Sequence, residues 1–269
     1  MLSDRPLDCQ QPFEEPPYST WGEAQHGPEP IPDWVITDLN ALDSELGVLK
    51  TGKEADVHLV QRAVPDGAQS LVAAKRYRPS EHRMFHRDTG YQEGRRTRRS
   101  RDSRAMANRT GYGRDLLAGK WAAAEFDALG RLWQAGAPVP YPIQLLGAEL
   151  MLEFIGEPDG AAAARLAQCR PSSAELTDLF TQCVDAMLVL ARAGYAHGDL
   201  SAFNMLVHRG RLVLIDLPQI VDLVANPQGP TYLERDCRNV CRWFAARGLA
   251  TPEFDLLFGD LMAEAVARW

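Results

Sequence analysis

The sequence predicts an α+β protein with two lobes, a β-rich N-terminal lobe and a reduced, mainly helical C-terminal lobe. Three observations lead to this fold class. Short β-type segments separated by turns dominate the first half, a long segment with helical spacing opens the second half, and a short hairpin follows that helix. A chain of 269 residues is long enough for one large domain or for two lobes with a core each, and 45% hydrophobic with 24% charged residues is typical of a globular protein.

Composition and turn signals divide the chain into a leader and two lobes. Residues 1–32 carry seven of the eighteen prolines and little periodicity, so we expect a flexible leader there. Residues 33–152 form the expected N-lobe, with three consecutive antiparallel strands in ELGVLK, ADVHLV and SLVAAKRY and two more in YPIQLLGAELMLEFIG. Residues 153–269 form the expected C-lobe.

Charge is distributed unevenly along the chain. The net charge is −7, but the segment from Arg83 to Arg114 holds ten Arg, no Lys and three acids, a local balance of +7. This segment has too few apolar residues for a core, and we expect a flexible insertion in the N-lobe. Its charge favours contact with an anionic partner such as RNA, while a solvated loop with no partner explains the same composition.

Cysteine usage and hydropathy indicate the compartment. The five cysteines are odd in number, widely spaced and without a CxxC pair, which argues against a disulfide framework or a zinc site. The N-terminus has no signal-type apolar region, and no run approaches eighteen apolar residues. We therefore expect a cytoplasmic protein without a membrane contact.

Two helices are expected from periodicity. The first runs from Asp115 to Ala135, and Glu125 falls on its apolar stripe. A carboxylate on a buried helix face is costly unless a cation meets it, although a stripe edge that reaches water would also explain it. The second helix begins after Ser172, whose spacing to Glu175 is that of a capping box, and Gly194 is a typical helix end.

The loop HGDLSAFN, residues 197–204, precedes a predicted hairpin. Because the residue before the first strand of a hairpin lies beside the residue after the second, Asn204 and Asp216 should be neighbours, with Asp199 in the loop above them. Carboxylate and amide oxygens together suit Mg²⁺ bound with phosphate, and a second carboxylate can accept a proton from a hydroxyl group. Asp and Asn are also common turn formers, so the pair alone would be weak.

A second loop, TGKEADV at residues 51–57, lies between two strands. Gly52 allows close backbone approach and Lys53 is placed to meet phosphate, although the motif taken alone is better explained as a plain β-turn. Lys75 ends the next strand, where it could reach phosphates and pair with Glu125. That pair would explain the carboxylate on the helix stripe.

This order of parts resembles protein kinases, and its details resemble the RIO family of atypical protein kinases, the first subfamily more than the second. KTGKEADVHLV is similar to the family's nucleotide loop, WAAAEFDAL to its helix C, HGDLSAFNMLVH to its catalytic loop, LIDLPQ to its metal-binding strand end and YLERDCRNVCRWF to the helix that follows. The resemblance covers residues 34–244 and implies a two-lobed protein-kinase-like fold.

The resemblance implies an ATP- and Mg²⁺-dependent serine/threonine protein kinase with autophosphorylation, ATPase activity or both. The protein substrate it implies is unknown. The resemblance makes Asp199 the proton acceptor and Asn204 and Asp216 the ligands of Mg²⁺ or Mn²⁺. It makes Lys75 the phosphate-binding lysine and Glu125 its partner. Further nucleotide contacts are implied in the loop, the hinge and the catalytic loop, at Thr51, Gly52, Lys53, Glu54, Ala55, Val57, Glu153, Ile155 and Ser201.

Two other functions use some of the same features. Small-molecule phosphotransferases of the aminoglycoside or choline kinase type also carry HGD-x4-N and a later Asp, but TGKEADV and RDCRNV favour the RIO family. An assembly factor that uses ATP as a switch and contacts RNA or a ribosomal particle through the Arg83–Arg114 segment is compatible with the RIO resemblance. Gly198 replaces the Arg of the usual HRD motif, so control through a phosphorylated activation loop is not expected.

Overall fold

The structure is a computed structural model that describes residues 17–65, 67–78, 111–218 and 220–267. The N-terminal half contains a six-stranded antiparallel sheet with the strand order β1-β5-β6-β4-β3-β2. Its strands are β1 (Gln25–His26), β2 (Leu42–Thr51), β3 (Ala55–Ala63), β4 (Gln69–Tyr77), β5 (Pro142–Leu146) and β6 (Glu149–Glu153). The predicted run of three consecutive antiparallel strands is confirmed.

One long helix, α1 (Gly111–Gln134), packs against β4, β5 and β6. Its inward face carries small and apolar residues together with Glu125, which is only 1% exposed. The opposite side of the sheet has a smaller apolar cluster that includes Trp21, Tyr141 and Met151. The sheet is therefore covered on both sides, and Glu125 reaches the interior rather than water.

The expected flexible leader needs a correction over residues 17–32. Gln25 and His26 pair with β5 at the edge of the sheet, and Trp21 is buried in the smaller apolar cluster. The indole of Trp21 stacks on the His26 ring with centroids 3.8 Å apart. A few apolar anchors thus fix a proline-rich stretch whose composition alone suggests a flexible chain. Residues 1–16, and almost all of the Arg83–Arg114 segment, lie outside the described residues.

The C-terminal half is mainly helical. Its helices are α2 (Ser173–Arg192), α3 (Gly229–Ala245) and α4 (Phe254–Val266), and its short strands are β7 (Ala164–Arg165), β8 (Tyr195–Ala196), β9 (Met205–His208), β10 (Arg211–Leu214) and β11 (Val221–Asp222). The predicted capping box begins α2, because the Glu175 N–H donates to Ser172 and the Ser172 N–H donates back to Glu175. The mixed two-lobed fold expected from the sequence is confirmed.

The predicted hairpin is also present. β9 and β10 pair from His208 with Arg211 to Met205 with Leu214. Arg209 and Gly210 both have positive φ, 51° and 76°, as a two-residue hairpin turn requires. This register places Asn204 and Asp216 at the same end of the hairpin.

The main core extends through both halves of the molecule. It joins α1, including Leu129 and Leu132, to α2, the hairpin, α3 and α4. Among the helices in the described part of the chain, none is both long and apolar enough to cross a bilayer.

Candidate active site

A cavity of about 760 Å³ lies between the sheet of the N-terminal half and the hairpin of the C-terminal half. Its upper wall is formed by residues of β2, β3 and β4, and its lower wall includes Leu206 of β9 and Ile215 after β10. Most of the residues that the sequence predicts as a site line this cavity: Gly52, Lys53, Glu54, Ala55, Val57, Lys75, Glu125, Glu153, Ile155, Asp199 and Asp216.

Lys75 joins three elements at the charged end of the cavity. Its Nζ donates to Glu125 Oε1 at 2.8 Å and to Asp216 Oδ1 at 3.0 Å. Burial alone would lower the pKa of Lys75, but the negative charges of Glu125 and Asp216 outweigh burial and raise it. The predicted ion pair between Lys75 and Glu125 is present, and the lysine remains charged.

Glu125 is a buried carboxylate with its hydrogen bonds satisfied. Besides Lys75, it accepts a hydrogen bond from the Tyr77 hydroxyl and one from the Leu217 N–H at 3.1 Å. Burial, together with the Glu125 charge, raises the pKa of Tyr77 well above its ordinary value, so this phenol stays a donor. These partners offset the cost of removing the carboxylate from water.

Asp216 follows β10 with a φ of 66°, a conformation that few residues other than glycine adopt. Burial favours its neutral form, but the charges of Lys75 and Lys50 outweigh burial and lower the pKa of Asp216. Asp216 is therefore ionised near neutral pH. An unusual backbone conformation at a ligand-facing carboxylate is typical of functional sites.

The loop that carries Asp199 is fixed from below by α3. Asp236, 1% exposed, accepts the N–H groups of Gly198 and Leu200, both at 2.8 Å. His197 donates from Nε2 to the Ile215 carbonyl at 3.1 Å, which ties the same loop to the end of β10. The Asp199 side chain itself is half exposed and lines the cavity.

Arg235 of α3 occupies the space beside Gly198. Its guanidinium donates to the Gly198 carbonyl and lies 4.0 Å from Asp199 Oδ1. The Tyr232 ring lies 5.1 Å below the guanidinium and supports it. A cation from a later helix therefore stands next to the loop position where HRD kinases carry an arginine.

The predicted hinge residues lie at the opposite end of the cavity. The Glu153 carboxylate accepts the Tyr141 N–H at 3.1 Å, so the side chain faces the strand connection. The Ile155 carbonyl accepts the Ala163 N–H at 2.9 Å, while among the described residues the Ile155 N–H has no protein acceptor. A planar ligand edge could therefore meet the Ile155 N–H.

The turn after β2 is close to the cavity roof. The Gly52 N–H donates to the Ala55 carbonyl at 3.0 Å, and a Cβ on Gly52 would lie 2.6 Å from that oxygen. A larger residue would therefore displace the turn, which gives Gly52 a physical reason to be glycine.

Three predicted site residues are not in the cavity wall: Thr51, Ser201 and Asn204. Asn204 lies just behind it, where its Nδ2 donates to the Asp199 carbonyl at 2.9 Å. The Ser201 hydroxyl accepts the Phe203 N–H at 3.4 Å within the loop. In this structure Ser201 therefore shapes the loop, and it does not face the cavity.

Sequence reasoning missed other residues of the site. Apolar residues at alternate positions of the strands form the walls of the cavity. They include Leu49, Ala73, Leu152, Leu206 and Ile215. Tyr77 could have been found, because it lies two residues after Lys75 and so on the same face of β4. Lys50 and Asp236 are further residues of this kind.

The donor set at the end of the hairpin fits a hard divalent cation. Asp216 supplies an ionised carboxylate, and Asn204 keeps an amide oxygen available because its Nδ2 is already engaged. Among the described residues, no group of three or more His, Cys, Asp or Glu could hold a metal ion alone. A cation bound by Asp216 and Asn204 would therefore need further ligands besides these two side chains.

The two-lobed fold and the lysine bound to two carboxylates in the interlobe cavity define the class of protein-kinase-like proteins. Comparison with known proteins narrows this class. The RIO domain model matches residues 65–257. A RIO-type serine/threonine-protein kinase Rio1 of Haloferax volcanii is 35% identical over 81% of this chain and 68% of its own length.

Two animal relatives agree. Serine/threonine-protein kinase RIO1 of Caenorhabditis elegans is 32% identical over 79% of this chain, and RIO1 of Homo sapiens is 30% identical over 83%. The match covers only 39% and 36% of those two proteins. The chain belongs to the RIO family, as its motifs predict.

Proposed function

We propose that the chain is an ATP- and Mg²⁺-dependent RIO-type serine/threonine protein kinase, with autophosphorylation or ATP hydrolysis as its measurable reactions. The observation that carries the proposal is the position of Lys75, which contacts Glu125 and Asp216 at 2.8 and 3.0 Å inside the interlobe cavity. A buried cation with one face toward an open cavity is suited to hold a phosphate.

The roles divide along the cavity. Lys75 binds the phosphates of ATP while Glu125 fixes its position, and the Ile155 N–H meets the adenine edge between the apolar walls. Asn204 and Asp216 hold Mg²⁺, or Mn²⁺, against the phosphates. When bound, this metal ion would neutralise the charge that develops on the transferred phosphoryl group.

Asp199 accepts the proton of the attacking hydroxyl. Its side chain is half exposed at the cavity mouth, and its backbone is held by Asp236 through the neighbouring residues. A fixed backbone with an accessible carboxylate orients the acceptor without closing the site. The protein substrate is proposed only by class, as a seryl or threonyl hydroxyl.

The similarities favour this function over the small-molecule phosphotransferase, since the relatives above are named as protein kinases. The proposed RNA contact depends on the Arg83–Arg114 segment, nearly all of which lies outside the described residues, so it stays a hypothesis from charge.

The test is to incubate the purified chain with γ-labelled ATP and Mg²⁺ and to separate phosphoserine and phosphothreonine from hydroxylamine-labile acyl phosphate. Asp199→Asn should abolish transfer to hydroxyl groups while ATP binding persists. Asp216→Asn should abolish metal-dependent turnover of ATP. The assignment is wrong if both variants turn ATP over like the wild type, and a parallel panel of aminoglycosides and choline would reveal the small-molecule activity.

A further inference from the structure

β2 contains an irregularity next to the cavity. Val48 pairs with His58, but Lys50 pairs with Val57, so Leu49 is an additional residue and the register shifts by one. In a regular strand Lys50 would share the outer face with Val48, which is 58% exposed. The bulge instead turns Lys50 to the side of Val57, and both residues line the cavity.

Lys50 reaches the same carboxylate as Lys75. Its Nζ lies 3.7 Å from Asp216 Oδ2, while Lys75 Nζ lies 3.0 Å from Oδ1. The two ammonium groups thus occupy both oxygens of Asp216. This is also the carboxylate that the proposed function assigns to the metal, so Lys50 and a divalent cation compete for one oxygen.

The two lysines are held very differently. Lys75 is buried and has a second anchor in Glu125, so it cannot leave its place without exposing an unpaired charge. Lys50 is 42% exposed, and within the described part of the chain Asp216 is its only ion-pair partner. A long, half-exposed pair of this kind is weak and easily exchanged for another anion.

We infer that Lys50 is a second phosphate-binding lysine, which exchanges Asp216 for the terminal phosphates of the nucleotide when Asp216 turns to the metal. This inference rests on the proposed function and deepens it. Because Lys50 approaches from the strand above the charged end, it contacts the β- and γ-phosphates rather than the nucleoside, whose expected contact at Ile155 lies at the other end of the cavity. The bulge is the structural device that makes this contact accessible.

The test measures binding of adenosine, AMP, ADP and ATP to Lys50→Ala by titration calorimetry, with Mg²⁺ and with EDTA. We expect ATP affinity to fall about tenfold, ADP affinity to fall less, and adenosine and AMP affinities to stay unchanged, since a charge-assisted contact is lost only where the phosphates reach it. Lys50→Arg should restore most of the ATP affinity, because it keeps the charge. Val48→Ala, on the opposite face of the same strand, is the matched control and should bind all four ligands like the wild type.

The outcomes separate the inference from the proposed function. Suppose that the wild type binds ATP, and that Lys50→Ala either lowers the affinities for ATP and adenosine equally or lowers neither. Lys50 then does not bind phosphate, and the proposed function is unaffected. If Val48→Ala reproduces the loss for ATP, the effect comes from the strand and the inference is wrong. If the wild type binds no adenine nucleotide under any of these conditions, the proposed function fails and the inference fails with it.

Discussion

Two carboxylates, Glu125 and Asp236, are each 1% exposed, and the protein stabilises them in different ways. Glu125 lies at the charged end of the cavity and is met by the side chains of Lys75 and Tyr77 and by one backbone N–H. Asp236 lies under the loop of residues 197–204 and is met by two backbone N–H groups, those of Gly198 and Leu200. One is part of an ionic network, and the other is a support for the main chain.

The difference between the two carboxylates suggests a division of roles, in which Glu125 serves the binding of a ligand and Asp236 serves the orientation of the loop that carries Asp199. Because Lys75 contacts both Glu125 and Asp216, the network at the charged end joins three elements that form the cavity. Among the described residues, the Asp236 carboxylate accepts hydrogen bonds from backbone N–H groups only, so it holds the main chain of the loop that carries Asp199. Substitutions at the two positions should therefore affect different measured quantities.

The largest effect is expected for Glu125→Gln. The amide leaves Lys75 with the Asp216 carboxylate but without its buried partner, and removing one partner of a buried ion pair costs about 3–5 kcal/mol of unfolding free energy. Loss of the position of Lys75 should also lower the rate of phosphoryl transfer by about a hundredfold. Urea unfolding and transfer at saturating ATP measure the two effects. Tyr77→Phe removes one hydrogen-bond donor to Glu125 but keeps the ion pair, so it should lose much less unfolding free energy and much less transfer rate. Equal losses in the two variants would contradict the claim that the charge of Glu125 causes the effect.

Asp236→Asn should have a smaller effect of a different kind. An amide offers one acceptor oxygen where the carboxylate offers two, so one of the two loop N–H groups is left unsatisfied, at a cost of about 1–3 kcal/mol. The maximal transfer rate should fall about tenfold because Asp199 is displaced, while the KM for ATP stays unchanged.

A matched control for this prediction is Asn239→Ala, which removes a single hydrogen bond to the Leu200 carbonyl at 3.2 Å. It should lower the rate less than Asp236→Asn does. A rise in the KM for ATP in Asp236→Asn, with an unchanged maximal rate, would show that α3 supports nucleotide binding and not the loop.

The two carboxylates also show what the sequence can predict. Glu125 stood out because a carboxylate on an apolar stripe needs a cation, and Lys75 was available at a strand end. Asp236 follows the same rule, since it lies three residues after Leu233 and four before Val240, both buried in α3. Its partners are backbone groups that lie 36 and 38 residues earlier in the chain, and side-chain patterns do not reveal such donors.

The strands and the hairpin were predictable because their residues alternate regularly and their turns have characteristic sequences. The position of Lys50 in the cavity was not predictable. One extra residue in β2 moves Lys50 to the other face of the strand, and a bulge leaves no clear signal in the alternation of residues. The prediction of a flexible leader is wrong over residues 17–32 for a related reason. Composition averages over a segment, whereas one buried Trp21 and a two-residue strand suffice to hold it on the sheet.

A third prediction concerns pH. Burial raises the pKa of Asp236 above that of an ordinary aspartate, and His197 and the two N–H donors offset only part of this effect. The unfolded chain therefore releases this proton at a lower pH than the folded protein does. The stabilising contribution of Asp236 is fully present below about pH 4, the ordinary value, and is lost as the pH rises through the folded pKa.

The measurement is the unfolding free energy of the wild type and of Asp236→Asn from pH 4 to pH 7. The advantage of the wild type should shrink as the pH rises, since asparagine does not titrate. If the advantage of the wild type in unfolding free energy grows with pH, the hydrogen bonds to the charged form of Asp236 outweigh the effect of burial. Asp236 and Glu125 would then differ only in the geometry of their hydrogen bonds.

The smallest effect is expected at the start of α2, away from both carboxylates. Ser172→Ala removes the side-chain acceptor of the capping box and should cost about 1 kcal/mol of unfolding free energy. Because the capping contacts described for the Ser172 side chain are with Glu175, and neither residue lines the cavity, the transfer rate and the KM for ATP should stay at wild-type values. Assayed beside Asp236→Asn at the same fraction of folded protein, it separates loss of stability from displacement of the loop. If both variants lose the same transfer rate, Asp236 acts on stability alone and does not orient Asp199.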